Sequence, residues 1–278
     1  MEARKLVEQV LDQIEHLPTL PQVVANLLSI TESPSVDAMK LSKALDQSLA
    51  TKVLKVANSA FYGKRMVSTI SQGIVVIGFD AVKEIILTTS LFHTFHDTRD
   101  IQALQPLWQH SLECAMIAKR LAWIYRYEIL DEAYFSGLIH DIGKLVIQQY
   151  FPEADQQIQK LTKEGVESLE AEKQILSITH AEIGGEMVQR WNFPASLVDA
   201  VNHHHDQEWK LNPRLGRVLH YANLFVLGFV GFTDMLAAMS KAGMSFSGNW
   251  DSYDLQGVEE ILQKEMEKAR SMFEVSKT

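Results

Sequence analysis

The residues with the clearest chemical potential are histidines and one aspartate in the second half of the chain. Seven of the ten histidines lie between positions 110 and 220. They are His110, His140, His180, His203, His204, His205 and His220. Asp141 follows His140 directly, and a catalytic metal site needs neutral imidazoles and anionic carboxylates that converge on one point. The set therefore predicts a shared metal site.

Asp141 and Lys144 indicate what such a site could do. The two oxygens of Asp141 could bridge two ions, and a two-metal centre activates water and holds the attacking and leaving oxygens of a phosphodiester. Lys144 is the fourth residue after His140, so it should project near the same site, where a phosphate oxygen is a suitable partner. We therefore interpret Asp141 and Lys144 as candidate catalytic residues.

Each histidine taken alone has a simpler interpretation. A lone His110 is more typical of a helix surface or a hydrogen-bonded core position, and a lone His180 of a helix start. Three consecutive histidines could form a solvated helix end. The whole set, with His140 and Asp141 inside an apolar helix, favours a shared site, although His203 should point away from its two neighbours. Three histidines are interpreted as structural or exposed: His16, His93 and His96.

Helices must position these residues, because apolar residues recur at helical spacing and no stretch has a convincing period of two. The run from Ile74 to Ile77 contains strand-forming residues, but its helical neighbours favour a buried helix. Residues 243–253 are rich in Gly, Ser and Asn and are predicted to form a loop. The predicted helices are 7–14, 23–28, 39–45, 46–56, 71–77, 81–95, 104–125, 132–149, 155–163, 169–176, 180–191, 194–203, 213–229 and 258–273.

Composition and charge limit the class of protein. The chain has 278 residues, 46% of them hydrophobic, and a formal net charge of −9. An acidic surface repels a phosphate backbone, so non-specific nucleic-acid binding is disfavoured. The most apolar run, residues 224–232, is too short to span a bilayer, and the N-terminus leads into an amphipathic stretch rather than a signal core. We expect a soluble, cytoplasmic protein without a membrane partner.

The sequence contains a single cysteine, Cys114. A lone cysteine cannot form an internal disulfide, which fits a reducing compartment. Free cysteines are among the most buried residue types. Cys114 is therefore predicted to be an inert thiol in the core.

Several motifs are more specific than the histidine spacing. The segment Gly137-Leu138-Ile139-His140-Asp141-Ile142-Gly143-Lys144-Leu145 resembles the His-Asp core of the HD phosphohydrolase superfamily. Four N-terminal segments, residues 17–21, 44–48, 55–63 and 70–78, resemble the HDOD family. Residues 179–184, 191–194 and 201–206 are similar both to HDOD proteins and to their relatives, the HD-GYP phosphodiesterases. The chain is identified as a member of the HDOD family over about residues 14–232.

The resemblance implies an all-α fold, a multi-helix HD-domain-like bundle with an N-terminal helical subdomain. Residues 1–100 would form the N-terminal helical part, 101–232 the HD-like core with the metal site, and 233–278 a C-terminal loop and helix. Asn58-Ser59-Ala60 lies in one N-terminal motif and is interpreted as a helix cap or turn, with ligand binding as the alternative.

The resemblance also implies a ligand set. The ligand positions of the HD-GYP pattern are matched by His110, His140, Asp141, His180, His204 and His205, and Lys144 matches a phosphate-contacting lysine. The last ligand of the pattern is an aspartate, where this chain has the neutral, weaker donor Asn223. The Gly-Tyr-Pro motif, which helps to recognise cyclic di-GMP in the relatives, is missing after His205. The implied cofactor is one or two divalent transition-metal ions, with iron, manganese and zinc as candidates.

Two functions are open at this point. The missing motif and Asn223 favour a signal-transduction module that keeps a metal-binding site but acts mainly by binding signalling proteins or a nucleotide-type ligand. The six retained ligand positions and Lys144 favour an active metal-dependent phosphodiesterase that acts on a nucleotide or cyclic dinucleotide. A helical scaffold without metal is a third, weaker alternative.

Overall fold

The structure is a computed structural model that describes residues 47–59, 66–94, 101–206, 209–228, 230–242 and 255–276. These residues form α-helices and no strand, so the predicted all-α class is confirmed. The predictions for residues 1–46, for His96 and for the 243–253 loop lie outside the described residues. The helices are α1 Gln47–Ala57, α2 Ile70–Ile77, α3 Phe79–Thr94, α4 Ile101–Ile124, α5 Leu130–Ile139, α6 Ile142–Tyr150, α7 Pro152–Lys163, α8 Ser168–Leu176, α9 His180–Arg190, α10 Ala195–Asn202, α11 Pro213–Val226, α12 Phe232–Lys241 and α13 Leu255–Ser276.

The predicted single helix over residues 132–149 is wrong, because the chain breaks at His140 and Asp141. Helix α5 ends at Ile139 and α6 begins at Ile142, with Asp141 at the N-cap of α6. The Asp141 backbone, with φ −95° and ψ 13°, departs from helical geometry between the two helices. Buried apolar residues continue on both sides of the break, so the apolar pattern gives no sign of it.

Two further helix predictions need correction. Helix α11 ends at Val226 rather than at 229, because Gly228 adopts a left-handed φ of 73° and terminates the helix. Helix α12 then starts anew at Phe232 and was not predicted. Helix α2 forms as predicted, but it is not buried throughout, since Val75 is 86% exposed.

The described residues fall into two compact units. One comprises residues 47–101 and 266–276, where α1 packs against α2 and α3. In this unit the Asn58 side chain donates to the Val67 carbonyl at 2.8 Å and accepts from the Val67 amide at 2.7 Å. Asn58 therefore has a structural role, but it bonds to the Val67 backbone nine residues away rather than capping its own helix.

The other unit comprises the described residues between 102 and 265 and contains every histidine of the candidate site. Helix α9 packs against α6 and α10, and α11 packs against α5 and α10. None of the described helices is long and apolar enough to cross a membrane. The three-part division proposed from the sequence remains a prediction.

Two glycines allow backbones to touch on either side of the His140–Asp141 break. A Cβ on Gly137 would lie 2.5 Å from Ala115 Cα in α4, and a Cβ on Gly143 would lie 2.0 Å from the His180 carbonyl oxygen in α9. Real Cβ atoms do not approach other atoms so closely. Glycine at these positions therefore allows α5 to pack closely against α4, and α6 against the start of α9.

The Gly143→Ala variant is expected to lose both stability and any bound metal. The new methyl would push His180 away, and overpacking of this kind costs about 1–3 kcal/mol or more of unfolding free energy. Urea denaturation and metal analysis measure the two effects. Gly184→Ala is the matched control, because its Cβ would meet two side-chain methyl groups at 3.3 and 3.4 Å and no backbone atom nearer than the Gly143 nitrogen at 3.6 Å. Equal behaviour of the two variants would contradict the proposed close contact.

Candidate metal centre

Asp141 lies at the centre of the site and is 1% exposed. It occupies the N-cap of α6, but its carboxylate makes no capping hydrogen bond. One oxygen, Oδ1, lies 3.2 Å from His180 Nε2 and 3.6 Å from His204 Nε2. The helix break thus releases this carboxylate from its own helix and turns it towards the imidazoles.

The second oxygen of Asp141 faces a different set of groups. Oδ2 lies 3.6 Å from His110 Nε2, 3.4 Å from His140 Nε2 and 2.8 Å from Lys144 Nζ. The carboxylate therefore separates two groups of imidazoles, one facing each oxygen. This is the arrangement expected of a carboxylate that bridges two ions.

Different elements deliver the imidazoles to this point. His110 lies in α4, and His140 directly follows α5. His180 is the first residue of α9, whose start is fixed by a reciprocal capping box between Thr179 and Glu182. The turn after α10 carries the last two imidazoles, His204 and His205.

Backbone carbonyls fix the tautomers of two buried histidines. Nδ1 of His140 lies 2.8 Å from the Gly137 carbonyl oxygen, and Nδ1 of His204 lies 2.7 Å from the Val201 carbonyl oxygen. A carbonyl oxygen only accepts, so each Nδ1 carries the proton and each Nε2 presents a lone pair. Both Nε2 atoms, and Asp141 Oδ1, are buried without a hydrogen-bond partner. Such orphaned acceptors on one centre are what a bound cation would satisfy.

His180 and His205 approach each other through nitrogen atoms, with 2.9 Å between their Nε2 atoms. The Nδ1 of His180 donates to Glu172, so its Nε2 is left to face His205 and Asp141. Two imidazole nitrogens at this distance need a proton or a metal ion between them. The site therefore exchanges protons for metal when an ion binds.

Burial keeps most of these imidazoles ready for metal. It lowers the pKa of His140 well below the ordinary value, and it also lowers the pKa of His204 and His205. Burial lowers the pKa of His180 too, but the nearby carboxylates of Asp141 and Glu172 outweigh it and the net pKa is raised. Burial alone would raise the pKa of Asp141, yet the surrounding cations and imidazoles lower it well below its usual range. Neutral imidazoles around an ionised carboxylate are the protonation states that metal binding requires.

The donor set fits one or two divalent ions. Asp141, His180, His204 and His205 each offer a donor atom within 4.8 Å of the others, and His110, Cys114 and His140 form a second such group. The first group would hold an ion on Asp141 Oδ1, and the two imidazoles of the second group would hold another on Oδ2. Imidazole and carboxylate donors suit zinc, iron and manganese.

Glu172 in α8 is a functional residue that the sequence interpretation missed. It is 3% exposed, accepts from the His180 backbone amide at 2.7 Å and lies 2.8 Å from His180 Nδ1. A carboxylate on the far nitrogen fixes the orientation of a metal-binding imidazole and increases its basicity. Its only sequence signal was an acidic residue between the apolar positions Ala171 and Leu176.

The Glu172→Gln variant is expected to bind metal about 10- to 100-fold more weakly, the usual cost of losing such a partner. The amide keeps the size of the side chain but cannot provide the charge that stabilises His180. Isothermal titration of the metal-free protein with zinc would measure the change. Glu170→Gln is the matched control, because Glu170 lies exposed on the same helix. A wild-type affinity in Glu172→Gln would contradict the role given to this residue.

The remaining candidates lie around the site in different roles. His203 bonds to Asp206 at 3.0 Å and is outside both donor groups, as its expected orientation required. His220 is buried and donates from Nδ1 to the His204 carbonyl at 2.9 Å, so it positions the turn. Asn223 is 3% exposed, with its Oδ1 4.0 Å from Cys114 Sγ.

Cys114 is fully buried, as predicted, but it borders the site rather than lying in a purely apolar core. Its Sγ is 3.6 Å from His110 Nε2. Burial raises the pKa of this thiol well above its ordinary value, so it carries its proton while no ion is bound. The sequence interpretation missed this proximity, although a spacing of four residues in a helix places Cys114 one turn after His110.

An open cavity of about 350 Å³ lies next to the site, between α6, α7 and α8. Two of its lining residues also belong to the site: Lys144, which contacts Asp141, and Glu172, which contacts His180. The remaining lining includes the polar or charged residues Gln148, Asp155, Gln159, Thr162, Lys163 and Ser168. The cavity could admit a polar small molecule beside the ligands.

Comparison with known proteins places this geometry in a family. The family model described as the HDOD domain matches residues 17–207, which is more than half of the chain. The chain belongs to the HDOD family. The matched HDOD segment includes His110, His140, Asp141 and the other imidazoles of the two donor groups, whereas Asn223 lies beyond it.

Solved structures share the HDOD fold. A proposed phosphohydrolase from Shewanella amazonensis SB2B is 24% identical, with a TM-score of 0.73 over 95% of this chain and 97% of the other. An HDOD domain protein of unknown function from Geobacter sulfurreducens is 22% identical, with a TM-score of 0.69 over 98% and 95% of the two chains. At these identities the likeness establishes the fold.

A sequence relative is an uncharacterized protein of Treponema pallidum (strain Nichols). It is 26% identical over 216 residues, which are 73% of this chain but 40% of the relative. The HDOD chain therefore spans less than half of the length of this curated relative.

Proposed function

We propose that this HDOD chain is a bacterial signal-transduction module. Its HD-type site holds one or two divalent transition-metal ions, and it acts mainly by binding a nucleotide-type ligand or a signalling protein. The observation that carries the proposal is the cavity beside the site, because Lys144 and Glu172 line it and also contact Asp141 and His180. A ligand in this cavity would touch the residues that set metal affinity.

Lys144 would couple ligand binding in the cavity to metal binding at the site. Its side chain is 34% exposed and pairs with the nearly inaccessible Asp141. An anionic group in the cavity would compete with Asp141 for the ammonium group, which would change the charge that the metal ions experience. Because binding free energies are reciprocal, metal would change ligand affinity by the same factor.

Titration of the zinc- or manganese-loaded protein with nucleotides and cyclic dinucleotides tests the module. We expect binding of at least one such compound that weakens in Lys144→Ala and persists in Lys173→Ala. Lys173 is a suitable control, because it is exposed and is not among the residues that line the cavity. Failure of every nucleotide and cyclic dinucleotide to bind the loaded protein would refute a nucleotide-type ligand.

The second candidate function is a metal-dependent phosphohydrolase. The observation that favours it is the carboxylate of Asp141, which presents a separate oxygen to each group of donors. Divalent ions, when bound, lower the pKa of water and polarise a phosphoryl oxygen. Lys144 would hold a non-bridging oxygen of the phosphate, and Asp141 and the imidazoles would keep the charged centre in place.

Product analysis during the same screen separates the two functions. Metal-dependent turnover of a nucleotide or cyclic dinucleotide that disappears in Asp141→Ala would establish the hydrolase and count against the module. Binding without turnover supports the module. Turnover that survives Asp141→Ala would exclude this site as its source.

A further inference from the structure

Cys114 lies beside two imidazoles of the candidate site, those of His110 and His140. It is in α4, one turn after His110, and its Sγ is 3.6 Å from His110 Nε2. Helix α5 approaches α4 closely at Gly137, where a Cβ would lie 2.8 Å from the Cys114 carbonyl carbon. This approach brings His140 beside the same thiol. Helix packing thus places the chain's single cysteine against two imidazoles.

A second observation, independent of the thiol, points to a cation at this place. His140 is 0% exposed, its Nδ1 is bound to a carbonyl, and its Nε2 has no hydrogen-bond partner. The donor atoms of His110, Cys114 and His140 all lie within 4.8 Å of one another. An unsatisfied buried lone pair therefore shares a small space with the sulfur.

Three of the donor separations are close to those expected around a four-coordinate ion. Zinc bonds of about 2.3 Å to sulfur and 2.0–2.1 Å to nitrogen or oxygen imply about 3.5 Å between sulfur and nitrogen and about 3.3 Å between lighter donors. The observed Cys114 to His110 distance is 3.6 Å, and Asp141 Oδ2 lies 3.4 Å and 3.6 Å from the two imidazole nitrogens. The donor atom of His140 lies within 4.8 Å of those of Cys114 and His110, so an ion bound here would draw these three side chains closer together.

We propose that Cys114 is a thiolate ligand of the ion held by His110 and His140. The inference rests on the metal-binding part of the proposed function. When the sulfur–metal bond forms, the thiol proton leaves to solvent, since a coordinating thiol is deprotonated. The thiolate supplies the negative charge that the Asn223 amide does not carry. Sulfur selects thiophilic ions, so this position takes zinc or cobalt in preference to magnesium or manganese.

Cobalt titration of the metal-free, full-length protein tests the proposal, with a thiol-free reductant in the buffer. We expect a thiolate-to-cobalt charge-transfer band in the near ultraviolet. Only Cys114 can produce it, because the chain has one cysteine. The band should vanish in Cys114→Ser, while the cobalt absorption from the His180, His204 and His205 group persists. Cobalt affinity at the Cys114 position should fall at least about tenfold.

Each outcome decides a different question. Cobalt binding to the wild-type protein without the sulfur band would overturn the role of Cys114 and leave the metal site standing. No cobalt binding at all would overturn the metal-binding part of the proposed function. The wild-type spectrum decides the matter even where Cys114→Ser fails to fold.

A rescue experiment tests the charge argument. Adding Asn223→Asp to Cys114→Ser restores an anionic group beside the same imidazoles, and Asn223 Oδ1 already lies 4.0 Å from Cys114 Sγ. We expect the double variant to regain the second equivalent of metal, now with manganese accepted as well as cobalt. A double variant that stays at the stoichiometry of Cys114→Ser would overturn the charge argument.

Discussion

The Asp141→Ala variant is expected to retain less than about one hundredth of the wild-type metal affinity. One oxygen of the carboxylate lies within 3.6 Å of imidazoles of the first donor group, and the other oxygen lies within 3.6 Å of imidazoles of the second. Loss of a residue that merely orients a ligand costs about 10- to 100-fold, so loss of this ligand should cost more. Elemental analysis of the protein as purified, followed by zinc titration, would measure the loss.

Asp206→Ala provides the matched control for this change. Asp206 follows His205 in sequence, but its carboxylate bonds to His203, outside the donor groups. The control should retain the wild-type metal content. Equal metal content in Asp141→Ala and wild-type protein would show that Asp141 is a structural aspartate paired with Lys144.

Removal of metal should lower the thermal stability of the wild-type protein strongly. Orphaned acceptors on His140, Asp141 and His204 face one another in the folded state, so an ion binds the folded chain far better than the unfolded chain. A free ion concentration 1,000 times the Kd stabilises by about 4 kcal/mol. For a compact unit of about 150–250 residues this corresponds to about 8–16 °C in Tm. Differential scanning calorimetry with chelator and after metal addition measures the shift.

Two histidine variants make this result specific. His180→Gln removes an imidazole of the first donor group, and it should abolish most of the metal-dependent rise in Tm. His203→Gln changes the imidazole that bonds to Asp206 and should keep the full rise. A rise that is equal in the two variants would indicate an ion bound elsewhere.

The fold class and most residues of the candidate site could be predicted from the sequence, because both depend on local patterns. Apolar spacing reports helices directly, and His140-Asp141 is a motif of adjacent residues. The two-sided use of Asp141 was also open to prediction, since one carboxylate has two oxygens. What the sequence could not give was the break in the chain that turns this carboxylate towards the imidazoles, because the apolar pattern continues across it.

Glu172 and Cys114 illustrate the second limit. Glu172 contacts His180, which lies eight residues further along the chain. Cys114 comes close to His140 because α4 packs against α5. Glu172 differs from the many surface glutamates only in its burial, which depends on how α8 packs. In the sequence, Cys114 looks like an ordinary core residue. Only the close packing at Gly137 places His140 beside it. The four-residue spacing of His110 and Cys114 is a local signal, but the approach of His140 and the burial of Glu172 follow from tertiary packing, which no local pattern reports.

The glycine contacts at α5 and α6 have a consequence for how a signal could pass through the molecule. At Gly137 and Gly143 the backbones of neighbouring helices are in direct contact, which leaves no room for these helices to slide past one another. The part of the centre built on α4, α5, α6 and the start of α9 should therefore be rigid. His204 and His205 sit instead on a turn that is held by side-chain bonds from Trp209 and His220. We therefore expect a backbone rearrangement on ion exchange to occur in this turn and to reach α11 through His220.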